Sequence, residues 1–123
     1  METGKKQIYI VDDDESVCRA LEILMTTYGF TVRTFLSAEE FFSAVPNSAP
    51  GCLVLDIHMP GLNGLEAWWR LSKSGSKRPI ILITAEHSGD LKKQALETGA
   101  VGFLQKPIDD RVLAGLIHQA SLN

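Results

Sequence analysis

The sequence predicts an α/β fold in which a five-stranded parallel sheet is covered by helices on both faces. Two observations predict it. Short apolar runs alternate with longer amphipathic segments five times along the 123 residues, and parallel strands need such crossovers to return to one sheet. Most of the short runs are apolar throughout, as strands buried on both faces are.

The five runs are residues 8–11, 31–35, 52–55, 80–83 and 101–104. Four are continuous. The second, Thr-Val-Arg-Thr-Phe, alternates and is expected at a sheet edge. Between strands 1 and 2, Val17, Ala20, Leu21, Leu24 and Met25 recur at helical spacing over residues 16–28, with Gly29 as the stop. Ser37 and Glu40 have capping-box spacing ahead of Phe41 and Phe42. A third helix is expected over residues 65–71, ending near Gly75. Leu91, Ala95 and Leu96 mark a fourth, closed by Gly99. Asp109 or Asp110 caps a fifth, which carries Val112, Leu113, Leu116 and Ile117. Five βα units of this kind imply the flavodoxin-like (βα)5 doubly wound sandwich with strand order 2-1-3-4-5. The chain reads as a single domain over residues 1–123.

With 45% hydrophobic and 22% charged residues, there is enough apolar material for a core without disulfides. A net charge of −3 argues against a nucleic-acid-binding surface. No apolar run reaches membrane-spanning length, and the polar start, Met1 to Lys6, lacks a signal-peptide core. The expected location is therefore cytoplasmic. Cys18 and Cys52 sit in no Cys-x-x-Cys or Cys/His cluster and are expected to be buried, reduced thiols.

In a sheet of this order, ligands bind beyond the carboxyl ends of strands 1 and 3. Strand 1 runs out into Asp12, Asp13, Asp14 and Glu15, and strand 3 into Asp56. Carboxylates gathered at one point repel and raise one another's pKa. A hard divalent cation such as Mg²⁺, which takes oxygen ligands, relieves that repulsion. Asp12, Asp13 and Asp56 are the expected ligands; Asp14 or Glu15 reads better as a helix cap. Strand 4 ends at Thr84 and strand 5 ahead of Lys106. A carboxylate acceptor, a metal, a hydroxyl and an ammonium are the parts that phosphoryl transfer uses.

At these residues the sequence resembles the receiver domains of response regulators. The resemblance rests on Val11-Asp12-Asp13, on Asp56-x-x-Met59-Pro60-x-x-x-Gly64, on Thr84-Ala85 and on Lys106-Pro107, and it spans nearly the whole chain. It is closest in wording to FixJ-type regulators. The resemblance implies that Asp56 is the phosphoacceptor. It implies that Asp13 and Asp56 ligate Mg²⁺ (or Mn²⁺) directly, Asp12 through water, and His58 through its backbone carbonyl. Thr84 and Lys106 would each hold a phosphoryl oxygen, and the Lys106–Pro107 bond would be cis. The donor would be a sensor histidine kinase or a small acyl phosphate, and the domain would hydrolyse its own aspartyl phosphate. On activation, Thr84 and the strand-5 aromatic, Phe103, would rearrange together and alter the face formed by helix 4, strand 5 and helix 5. Phenylalanine departs here from the family's commoner tyrosine and lacks its hydroxyl.

His58 and Glu86 are placed to flank an attacking water, or are plain loop residues. Trp68 fits an inner helix face and Trp69 an outer one, as sheet cover or as a partner patch. A haloacid-dehalogenase-like phosphatase would need an aspartate where His58 stands, and a flavodoxin a hydroxyl-rich loop where the acidic run stands. A binding-only module and a single-domain phosphorelay intermediate are the other readings. The chain ends at Asn123, just past the last helix, which fits either a complete regulator or a receiver whose output domain lies elsewhere. A phosphorylation-dependent homodimer is the expected assembly.

Overall fold

Alternation of side chains along each strand decides which helix each residue meets. The computed structural model describes residues 6–57, 70, 78–85, 93, 97 and 99–120. Over these, β1 (Gln7–Val11), α1 (Glu15–Thr27), β2 (Thr31–Phe35), α2 (Ala38–Ala44), β3 (Cys52–Asp56), β4 (Ile80–Thr84) and β5 (Gly102–Gln105) precede a C-terminal helix, Asp110–Ala120. The strands form one parallel sheet in the order β2-β1-β3-β4-β5. The third and fourth expected helices, with Trp68 and Trp69, lie outside the described residues.

Tyr9, Val11, Leu53, Leu55, Ile57, Ile80, Leu82 and Phe103 face one side and pack with Phe41 of α2. Ile8, Ile10, Cys52, Val54, Ile81 and Ile83 face the other and pack with Leu21 and Met25 of α1 and with Leu113 and Ile117. Apart from Gln7, Asp56 and Thr84 at their ends, β1, β3 and β4 are thus apolar because each is covered twice, while β2 is the half-exposed edge that its alternation indicates.

Expectation and structure part at three places. The fifth strand begins at Gly102 rather than residue 101 and forms the second sheet edge; Val101, ahead of it, is 45% exposed. On α1, Cys18 rather than Ala20 joins Leu21 and Met25 on the inner face, and Ala20 is exposed. Val112 is also exposed, because the C-terminal helix turns Leu113, Ala114 and Ile117 inward.

The caps follow the sequence signals. Asp14 Oδ1 accepts from the Ser16 and Val17 N–H groups, and Gly29 (φ 93°) follows the Tyr28 C-cap. Ser37 Oγ accepts from Glu40 N at 3.1 Å, but Glu40 Oε1 reaches back to Leu36 N rather than to the cap residue. Asp109, not Asp110, caps the last helix, accepting from Arg111 N and Val112 N. Among the described residues, no helix is long and apolar enough to cross a membrane.

Candidate functional site

The parallel register brings the carboxyl ends of β1, β3, β4 and β5 to one edge. Val11 pairs with Leu55, Asp56 with Ile83, and Thr84 with Gln105. Asp12 and Asp56 therefore leave adjacent strands side by side, and Lys106 follows β5 two strands away. Asp12 and Thr84 are fully buried and Asp56 is 2% exposed, whereas Asp13 stands in solvent.

Lys106 closes the group. Its Nζ donates to Asp56 Oδ2 at 3.1 Å and lies 2.8 Å from Asp12 Oδ2. The second contact is an ion pair, and the buried Asp12 Oδ2 has this charge partner but no further donor among the described residues. The other oxygen, Oδ1, accepts from Asp14 N at 2.9 Å, and the Asp12 N–H donates to Phe35 O at 3.1 Å. Lys106 is joined to Pro107 by a cis peptide bond.

Burial pushes the Asp12 carboxyl above its ordinary range, and the Asp56 charge adds to the rise against the pull of Lys106 and the Asp14 N–H. Burial alone would pull the Lys106 ammonium down. The two carboxylates outweigh it and hold Lys106 above its usual value. One ammonium thus faces a group in which Asp12, Asp13 and Asp56 bring carboxylate oxygens within 4.8 Å of one another. The excess negative charge, the all-oxygen donor set and the buried Oδ2 without a further donor fit a hard divalent cation.

Of the residues singled out in sequence, Asp12, Asp13, Asp56 and Lys106 meet at this edge. Thr84 ends β4 beside it, and Phe103 is buried on the Thr84 face, packed with Leu55, Leu82 and Ala100. His58 and Glu86 lie outside the described residues. Cys18 and Cys52 are buried free thiols, as expected. Burial pushes Cys18 up to about 11 and Cys52 up to about 12.

Two residues carry more than their sequence suggested. Cys18 Sγ lies 3.3 Å from the carbonyl oxygen of Asp12, a contact that its spacing with Leu21 and Met25 could have hinted at. Arg78 is 9% exposed, donates to Pro46 O at 2.8 Å and Ala49 O at 3.1 Å, and stacks over the Tyr9 and Phe41 rings at 5.3 and 5.2 Å. It lies before β4, at the opposite end of that strand from Thr84.

Comparison with known proteins bears on this geometry. The response regulator receiver domain matches residues 8–118. FixJ, a transcriptional regulatory protein of Bradyrhizobium diazoefficiens, is 38% identical over 118 residues, which are 96% of this chain and 58% of FixJ. The response regulator protein TodT of Pseudomonas putida is 40% identical over 113 residues, 92% of this chain and 50% of TodT. The crystal structure of FixJ-N superimposes with a TM-score of 0.87 at 34% identity, covering 100% of this chain and 97% of that one. The chain spans about half the length of the curated relatives it matches.

Proposed function

This chain belongs to the response regulator receiver family, and from that premise we propose that it takes a phosphoryl group onto Asp56 with Mg²⁺ (or Mn²⁺) held by Asp12, Asp13 and Asp56. The observation that carries the reading is the Lys106 ammonium set between the buried carboxylates of Asp12 and Asp56.

An Asp56 oxygen attacks the phosphorus of a phosphohistidine on a sensor histidine kinase, or of a small acyl phosphate. The new O–P bond forms as the N–P or acyl O–P bond breaks, and the electron pair departs with the imidazole or the carboxylate. Lys106 transfers its hydrogen bond from Asp56 to a phosphoryl oxygen, and the Thr84 hydroxyl donates to another. Asp12 stays in place through its bonds to Asp14 N and Phe35 O. Asp12, Asp13 and Asp56 would hold the divalent ion, which would supply positive charge against the negative charge on the equatorial oxygens. The family resemblance implies one more ligand, the backbone carbonyl of His58, which lies outside the described residues. Water later cleaves the aspartyl phosphate, returning the carboxylate and inorganic phosphate.

The signal leaves through Thr84 and Phe103, which share a sheet face on neighbouring strands. A shift of Thr84 toward the phosphoryl group repacks Phe103 and alters the β5 edge. Residues 1–123 act as one cytoplasmic receiver domain that forms a dimer when phosphorylated. The names of the relatives support a role in transcription regulation, in which this domain does not itself bind nucleic acid.

Intact-protein mass after incubation with acetyl phosphate and Mg²⁺ tests the reading. One phosphoryl adduct is expected, lost in EDTA and in Asp56→Asn. No adduct, together with no binding of beryllofluoride, refutes it in favour of a binding-only module.

A further inference from the structure

Where strand β1 hands over to helix α1, the backbone of Asp12 is held from both sides. Its N–H donates to Phe35 O at the end of β2 (3.1 Å). Its carbonyl faces the Cys18 thiol, with Sγ at 3.3 Å. The same sulfur is 3.8 Å from the Phe35 carbonyl. Cys18 is 3% exposed, and its own N–H donates to Asp14 O at 3.1 Å. One buried side chain therefore touches the exits of β1 and β2 while its backbone closes the first turn of α1. The carboxylates on this loop, Asp12 and Asp13, are the ones brought within 4.8 Å of Asp56.

We propose that Cys18 is a positioning residue for the divalent-cation site: its S–H, donated to the Asp12 carbonyl, sets the height of the Asp12–Asp13 loop above Asp56. The inference rests on the phosphoacceptor reading above and deepens it. An S–H donor is weak by itself. Its leverage comes from place, because the peptide it holds carries a carboxylate with no freedom to re-aim: Asp12 is fully buried and tied at Oδ1. Without the donor, the Asp12 peptide can tilt and the oxygens no longer converge on one ion.

The role separates from simple core filling because a second thiol serves as control. Cys52 is equally buried, belongs to the same apolar cluster as Cys18, and begins β3, at the end of that strand away from Asp56. Its truncation leaves a comparable void far from the loop.

The test titrates MgCl₂ calorimetrically into the parent, Cys18→Ala, Cys18→Ser and Cys52→Ala. Phosphoryl uptake from acetyl phosphate is followed by intact mass at limiting and at saturating Mg²⁺, and urea midpoints are recorded for all four. Cys18→Ala is expected to bind Mg²⁺ about five-fold more weakly, with the uptake rate restored at saturating Mg²⁺. Cys18→Ser, which keeps a donor, is expected to recover most of the affinity. Cys52→Ala is expected to lose stability with an unchanged Mg²⁺ constant. Parent-like affinity in Cys18→Ala overturns the inference while leaving the phosphoacceptor reading intact. Equal weakening in Cys52→Ala also overturns it, since the effect is then general loosening. A parent that neither binds Mg²⁺ nor gains phosphate removes the phosphoacceptor reading, and the inference with it.

Discussion

Removing the ammonium of Lys106 strands two buried carboxylates against each other. Lys106→Met keeps much of the stem's volume and deletes only the charge. Nζ lies 2.8 and 3.1 Å from carboxylates whose side chains are 0% and 3% exposed, while the lysine side chain itself is 20% exposed. Deleting one partner of a buried pair costs about 3–5 kcal/mol, and the partly open lysine end places this site near the lower figure, about 3 kcal/mol. For a domain of this size that is a fall in Tm of roughly 10 °C. The assay is urea and thermal unfolding at pH 7 in EDTA, for parent, Lys106→Met, Asp12→Asn and the double variant. With Asp12 neutral, only Asp56 still needs the ammonium, so the cost of losing it should shrink by about 1–2 kcal/mol. The pH dependence has a definite sign. Lys106 is raised above 10.5 in the folded state. Its contribution is fully present below that value and is lost as pH rises through the folded pKa. The gap between parent and Lys106→Met should be level from pH 7 to 10 and narrow above 10.5. Equal costs in the two backgrounds, or no cost at all, would refute the ion-pair account.

Asp12→Asn alone should stabilise the divalent-free protein, since it removes a charge that burial and Asp56 disfavour. The parent should lose ground to it as pH rises from 3.8 through the raised folded pKa and hold a constant deficit above, read from urea midpoints across pH. Gly51→Ala should destabilise by about 2 kcal/mol or more, measured by urea unfolding, because φ is +136° and a Cβ would sit 2.6 Å from Tyr9 Cε2 and 3.0 Å from the Gln7 carbonyl oxygen. Gly102→Ala should cost less, about 1 kcal/mol in the same assay, since its nearest obstacle is a Leu116 methyl at 2.9 Å that can rotate away. Neither thiol should react with Ellman's reagent at pH 8 in the native state, and both should react in urea, because burial holds them up to about 11 and about 12. For the same reason, folded stability should fall between pH 9 and those values, as the unfolded thiols lose protons first.

Much of this fold is written in the local pattern of its residues. Continuous apolar runs marked β1, β3 and β4, because a strand covered on both faces needs apolar residues at every position. Alternation put β2 at an edge, and local side-chain bonding made Asp14 and Ser37 readable as caps. The motif residues could be assembled into a site once strand order was inferred, since topology carries Asp12, Asp56, Thr84 and Lys106 to one rim.

Tertiary structure alone decided the rest, wherever the answer depended on a neighbour far along the chain. β5 reads as apolar as a central strand, but the sheet order puts it at an edge, where Leu104 stays partly exposed. No sequence motif marks Arg78, yet carbonyls 32 and 29 residues away and the rings of Tyr9 and Phe41 enclose it. Lys106 lies 50 residues from Asp56, and whether its ammonium touches one carboxylate or two is set by where β1 and β3 end relative to β5. Periodicity reports which face of an element is apolar. It does not report which group from another element meets that face, because that depends on contacts formed only when the chain closes.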